Sequence, residues 1–122
     1  MKIIEAINQL DSLVHNTYEQ SDKVKWLSRL DGMVKRQVID AHEGEPFEFK
    51  GYDDNTDTGT EMLIPAPYDA VYLLWMEAQI HYYNGEYEKY NNAIDTFDKD
   101  FTEYKNYYTR THMPKGSKFK FF

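Results

Sequence analysis

An all-α fold is predicted by three observations. In residues 86–108, Tyr87, Tyr90, Ile94, Phe97, Phe101, Tyr104 and Tyr108 recur in alternating steps of three and four, with charged and polar residues between them. That is a heptad seam, the mark of an amphipathic helix with one narrow apolar face. Three earlier segments repeat their apolar residues at the same helical spacing. Finally, Asn84-Gly85 is a helix-stop and turn signal that leaves little chain between the last two segments, so these should pack antiparallel. The expected architecture is a four-helix bundle with a long acidic loop or β-hairpin arm between helices 2 and 3 and a short C-terminal tail. A chain of 122 residues suits one domain. The helical domain is assigned to residues 1–114, with helices near 2–14, 21–41, 67–84 and 86–109, and the tail to 115–122.

The first helix carries Ile3, Ile4, Ile7, Leu10, Leu13 and Val14 at helical spacing. Ser21 is the expected N-cap of the second, with Asp22 in the first turn where the helix dipole favours negative charge. Val24, Leu27, Leu30, Val34 and Val38 form its apolar side, broadened by Trp26, Met33 and Ile39. Gly32, in mid-helix, costs about 1 kcal/mol relative to Ala. It implies either close approach of another backbone or a tolerated glycine.

Between residues 42 and 67 the helical pattern stops. Glu43, Glu45, Glu48, Asp53, Asp54, Asp57 and Glu61 are acidic, only Lys50 is basic, and Phe47, Phe49 and Tyr52 stand as aromatic islands. So long a structureless loop is uncommon in a compact domain. It is read as a β-hairpin arm turning at residues 53–59, with residues 60–64 as a short strand; the alternative is a loop that orders against a partner. Pro67 and Asp69 suit the first turn of the third helix. Val71, Leu74, Trp75, Ala78 and Tyr82 lie on one of its sides, and Tyr72, Met76, Ile80 and Tyr83 widen the apolar surface. This should be the most buried helix.

The seam of the fourth helix is expected to be mostly core, covered by helix 3 up to Phe101. Tyr104 and Tyr108 are to be covered by helices 1 and 2 or else to meet a neighbouring subunit. The tail alternates Lys118, Phe119, Lys120 and Phe121, a pattern able to add a strand to a neighbour or simply to fray.

Composition narrows the function. The net charge of −7 argues against general duplex DNA binding through phosphates. Arg110, Lys115, Lys118 and Lys120 are the only charged residues from Arg110 onward, so an acidic body ends in a basic tail, an arrangement that can draw like subunits together. Eleven Tyr, seven Phe and two Trp suit subunit interfaces or a core built of large residues. No cysteine is present, which excludes disulfides, thiolate nucleophiles and Cys-type zinc sites. Charge enters the first six residues too early for a signal peptide, and no apolar run could span a membrane, so a soluble, cytoplasmic protein is expected.

Chemistry is sparse. Asp53, Asn55 and Asp57 resemble the start of a calcium loop, but Thr58 stands where its glycine belongs and Ile64 where its bidentate Glu belongs. Glu77 and His81 share a helix face at i, i+4, a two-ligand metal fragment or an ordinary surface contact. No nucleophile elbow, phosphate loop or dinucleotide fingerprint occurs. No enzyme, cofactor or metal site is expected.

Several segments in order carry a resemblance: Trp26-Leu27 with Leu30-Asp31-Gly32, His42-Glu43-Gly44, Gly51-Tyr52-Asp53, Pro65-Ala66-Pro67-Tyr68-Asp69, Tyr90-Asn91-Asn92, and Arg110-Thr111-His112-Met113-Pro114. Over residues 20–114 the chain resembles the head–tail connector, or adaptor, proteins of tailed phages and prophages of Gram-positive bacteria. The resemblance implies a non-enzymatic helical virion protein that joins a homo-oligomeric ring beneath the portal, touching the portal protein and a tail-side neck protein. DNA would pass through the ring's channel without sequence-specific binding, and no membrane would be involved. The implied location is the virion neck, with the host cytoplasm before assembly. The expected assembly residues are Phe47, Phe49, Tyr52, Asp53, Asp54, Asp57, Tyr104, Tyr108, Lys118, Phe119, Lys120 and Phe121. The competing reading from charge alone is an acidic binding protein, such as a DNA mimic that occupies a DNA-binding enzyme.

Overall fold

The computed structural model of the chain describes residues 1–115. It is mostly helical, and no strand occurs among the described residues. Four helices follow in order: α1 Ile3–Leu13, α2 Gln20–Val34, α3 Val71–Tyr83 and α4 Tyr87–Thr111. A π-helical turn, Lys35–Ile39, prolongs α2, and a 3-10 turn, Tyr68–Ala70, leads into α3. None of these helices is long and apolar enough to cross a membrane.

The apolar spacing produces the expected faces. Ile3, Ala6, Ile7 and Leu10 are buried on α1, while Leu13, at its end, is exposed. On α2 the buried stripe is Val24, Trp26, Leu27, Leu30 and Val34, continued by Val38 in the π-turn. The helix begins at Gln20, one residue before Ser21. The N–H groups of Asp22 and Lys23 bond the Glu19 carbonyl, and Glu19 is the N-cap residue, so Ser21 lies within the first turn and does not cap it. Nothing lies within 4 Å of a side chain built at Gly32. The expected backbone approach is absent, and this glycine is a tolerated one.

α3 is the hub, since α1, α2 and α4 all pack against it. Val71, Tyr72, Met76, Ala78 and Ile80 are buried on it, while Tyr82 and Tyr83 at its end are exposed. With seven of its 15 residues buried against five of 13, α2 and not α3 is the more enclosed helix, contrary to expectation. α3 starts at Val71, later than expected, because the 3-10 turn intervenes after Pro67. At its other end Gly85, with φ of +77°, makes the turn. Glu86 N–H bonds the His81 carbonyl and Gly85 N–H bonds that of Tyr82, the Schellman pair that ends a helix at a left-handed residue.

α4 then returns along α3. A 13-residue helix is about 20 Å long and a 25-residue one about 37 Å, so α4 outruns its partner. Ala93, Phe97, Phe101 and Tyr104 are its buried residues. The seam enters the core only in its middle: Tyr87, at its start, is exposed. Past the reach of α3, the π-turn that prolongs α2 contributes Ile39 beside Tyr104 and Tyr108, and further cover comes from outside α1 and α2. Tyr68 of the 3-10 turn stacks on Tyr107 at 4.9 Å and lies 6.0 Å from Tyr104. His42, just beyond the π-turn, sits edge-on to Tyr108 at 5.0 Å.

The segment between α2 and α3 is not a hairpin arm. Its residues 58–62 pair with the start of the chain: Ile4 N–H bonds Thr58 O at 2.9 Å, Ile3 N–H bonds Thr60 O at 3.1 Å, and Met62 N–H bonds Met1 O at 3.1 Å. Tyr52, Met62 and Ile64 are buried, so the loop is a strap drawn onto the core. The expected strand at residues 60–64 finds its backbone partner in the first four residues and not across residues 53–59. Those residues form two successive turns, closed by Thr56 N–H on Asp53 O and Thr60 N–H on Asp57 O.

Candidate functional site

The strap is tied down by a buried carboxylate. Asp31 occupies the apolar stripe of α2, four residues after Leu27 and three before Val34, and has no solvent exposure. Tyr52 of the strap donates its hydroxyl to Oδ2 at 2.5 Å, Tyr72 of α3 donates to Oδ1 at 2.6 Å, and the Leu63 N–H reaches Oδ2 at 3.1 Å. The Tyr72 hydroxyl also accepts the Ile64 N–H at 2.8 Å. One carboxyl group thus joins α2, α3 and both ends of the inner strap. Burial pushes its pKa above the ordinary carboxylate range, against the three donors, which favour the charged form. Burial and the neighbouring carboxylate push both tyrosine hydroxyls far up, so each remains a donor. With no path to solvent and three donors already bound, Asp31 is a structural tie and not an acid or base for a substrate.

Gly51 makes the tie possible. Its φ is +84°, and a Cβ there would stand 2.8 Å from the Ser28 hydroxyl. That hydroxyl accepts the Tyr52 N–H at 3.0 Å, which aims the ring inward.

Two further polar groups are enclosed or clustered. Lys23 is buried, and its Nζ lies 2.7 Å from Asp11 of α1, joining the first two helices. Burial works against the Asp11 charge, but Lys23 and Asn16 together hold its pKa below the ordinary value. His81 lies between Glu77, at 3.7 Å, and Glu86, at 3.1 Å. This makes Glu77 and His81 part of a polar cluster at the helix end. No group of three His, Asp or Glu residues arranged to hold a metal ion occurs among the described residues.

Two surfaces remain for recognition. At the α3–α4 turn, Tyr82, Tyr83 and Tyr87 are 49%, 53% and 61% exposed. They form a continuous aromatic sheet: Tyr82 lies 5.4 Å from Tyr83, 6.0 Å from Tyr87 and 5.3 Å from Tyr90, and Tyr83 stacks on Trp26 at 6.0 Å. Tyr18 completes it, edge-on to Trp26 at 5.5 Å, with its hydroxyl on Asn84 at 2.7 Å. At the opposite end of α4 lies a groove of about 390 Å3, whose walls include Ile39, Phe47, Leu63, Tyr104, Tyr107 and Tyr108. Asp40, Glu45, His112 and Lys115 also line it. His112 stacks flat on Tyr108 with centroids 3.8 Å apart.

The residues expected at an assembly interface fall into different places. Tyr52 and Tyr104 are buried, which removes them from any exposed surface: the first serves Asp31, and the second packs under Tyr68 and Phe101. Phe49 is half-buried against Tyr52 at 5.2 Å. Phe47 and Tyr108 line the groove, Phe47 with the Lys35 ammonium 4.8 Å above its ring. Asp53, Asp54 and Asp57 are exposed. Asp53 accepts the Asn55 N–H and Asp57 the Gly59 N–H, so both carboxylates that had suggested a calcium loop serve to fold the turns. Lys118, Phe119, Lys120 and Phe121 lie outside the described residues.

Sequence reasoning missed the exposed sheet of Tyr82, Tyr83 and Tyr87, having placed all three on apolar faces. It also missed Asp31 as a hub, although an Asp on the apolar stripe of α2 was a visible signal. No family model matches the chain, and comparisons with curated proteins and with solved structures find nothing similar.

Proposed function

We propose that this chain is a non-enzymatic assembly protein: a phage head–tail connector (adaptor) subunit that forms a ring beneath the portal and joins head to tail. The observation that carries the reading is the exposed aromatic sheet at the α3–α4 turn. Three adjoining tyrosines about half open to solvent, backed by Trp26, are a surface of the composition found in the anchors of protein interfaces. The bundle provides a rigid mount for it, because the turn that carries it is closed by backbone bonds and fixed by Gly85. The ordered segments quoted above supply the choice of family, and the acidic surface suits a channel through which DNA slides without sticking. In this reading the partners are other copies of the chain, the portal protein and a tail-side neck protein, and the site of action is the virion neck.

The DNA-mimic alternative has less support, because its carboxylates would have to lie spaced like phosphates. Here seven of the 21 crowd one strap, and two of those are occupied in turns.

Mass measurement at rising concentration, with and without purified portal, tests the proposal. The expected result is a ring or a portal-bound species that Tyr82→Ser with Tyr87→Ser weakens at least tenfold. A chain that stays monomeric at high concentration and ignores the portal would sink the connector reading, and tight binding to a nuclease or repressor would replace it with the mimic.

A further inference from the structure

Next to the aromatic sheet the surface of α2 is basic. Tyr18, Trp26 and Tyr83 line a pocket of about 300 Å3 together with Asp22, Lys25 and Arg29. Lys25 and Arg29 are exposed, and among the described residues neither has a carboxylate oxygen within 4.0 Å. We propose that this pocket receives the acidic turns of the strap, at Asp53 and Asp54, from a second copy of the chain. The pairing rests on the assembly role given to the adjoining aromatic sheet, and it assigns that sheet a partner surface.

Charge selects the occupant. Asp53 and Asp54 are exposed, and among the described residues no Lys, Arg or His nitrogen lies within 4.0 Å of either. Within its own turn Asp53 uses Oδ1, bonded by the Asn55 N–H and the Thr56 hydroxyl, so its Oδ2 is left for another donor. The turn is already closed by the Thr56 N–H on the Asp53 carbonyl, so little further ordering accompanies contact. A carboxylate between an ammonium and a guanidinium accepts charge-assisted hydrogen bonds, and three aromatic rings displace water from around it, which strengthens the attraction. Single-stranded nucleic acid is the other polyanion that rings and cations suit. The net charge of −7 repels it, and two cations supply few phosphate contacts.

Geometry places the two surfaces on different copies. Asp53 and Asp54 line a separate pocket with Gln20, Ser21 and Val24 of α2. Val24 and Arg29 are five residues apart, which sets them about 140° apart around the helix. The acidic turns and the basic pocket therefore flank α2 on nearly opposite sides. Pairing either surface with its own kind would oppose like charges, so the contact joins unlike faces of successive copies. A contact of that kind leaves one face of each sort free on every pair, and it closes into a ring when its rotation permits.

Two variants of the full chain test the pairing: Lys25→Glu with Arg29→Glu, and Asp53→Asn with Asp54→Asn. All four positions are exposed, Glu suits a helix, and Asn keeps the side-chain oxygen that Asp53 gives its turn. Circular dichroism checks the fold, and Lys25→Gln with Arg29→Gln replaces the first variant if helix content falls. Sedimentation velocity over a concentration series is expected to show self-association of the parent chain that weakens as salt rises. Each variant alone should associate more weakly by about tenfold or more. An equimolar mixture of the two should associate again but stop at a dimer, because only one intact pocket and one intact strap can meet. Variants that associate like the parent, or a mixture no better than either alone, would overturn the pairing. If Tyr82→Ser with Tyr87→Ser still weakens association or portal binding in that case, the aromatic sheet keeps its assembly role and only its acidic partner is refuted. A parent chain that neither self-associates nor binds portal would refute both. Oligodeoxythymidylate bound by the parent and lost in the Lys25→Glu, Arg29→Glu variant would give the pocket to nucleic acid and overturn the pairing.

Discussion

The tyrosines of this chain are used in two opposite ways, and the contrast separates what holds the fold from what it offers to others. Around Asp31, Tyr52 and Tyr72 are buried and valued for their hydroxyls, each giving a hydrogen bond to one carboxylate. At the α3–α4 turn, Tyr82, Tyr83 and Tyr87 are valued for their rings, which meet edge to face in contact with solvent. A buried polar group must be matched or it costs stability, whereas an exposed ring can be removed at little cost to the monomer. The lesson is that residue type did not set the role; depth did.

The sharpest way to break the contrast is Asp31→Ala. It strands two hydroxyls and the Leu63 N–H inside the protein, and the expected loss is about 3–5 kcal/mol, measured by urea unfolding. Tyr72→Phe is next: it removes one donor to Asp31 and the acceptor of the Ile64 N–H, for about 1–3 kcal/mol. Equal stability of Tyr72→Phe and the parent chain would remove the network's claim to tie the strap.

The pH dependence is a smaller effect with a definite sign. The folded state holds the Asp31 proton more tightly than the unfolded chain, whose ordinary value is 3.8. Just above that value the folded state therefore binds more protons, and stability from this group falls as pH rises through the window. Below it both states are protonated and the term vanishes. Relative to Asp31→Asn, which cannot titrate, the parent chain should lose stability as pH climbs from 3.8, as followed by thermal melts at a series of pH values. An opposite slope would show that the three donors outweigh burial. The smallest expected effect is at the surface: Tyr82→Ser and Tyr87→Ser should each change monomer stability by within about 0.5 kcal/mol, because their rings are half or more exposed.

Local pattern made much of the fold legible. Four helices occur in the four segments with three-and-four spacing, though α3 starts later than expected, and Asn84-Gly85 ended α3 through the backbone bonds that a left-handed glycine permits. The strap was misread because its partner is remote. Residues 58–62 pair with the first residues of the chain, and no local signal in either segment names the other. Tyr104 was misplaced for a similar reason: its cover is Tyr68, brought over by the 3-10 turn that delays the start of α3. Of the expected assembly residues, Phe47 and Tyr108 line one groove, while Tyr52 left for the core on the strength of a hydrogen bond donated to Asp31 of α2.

By itself the sequence determined which segments are helical and which side of each is apolar, because hydrophobic spacing and glycine conformation act over a few residues. Only the tertiary structure decided which aromatic residues are inside. That choice depends on relative helix length, on α4 outrunning α3, and on a single buried carboxylate that gathers donors from three parts of the chain. Burial is a property of how elements meet, and the period of a sequence does not contain it.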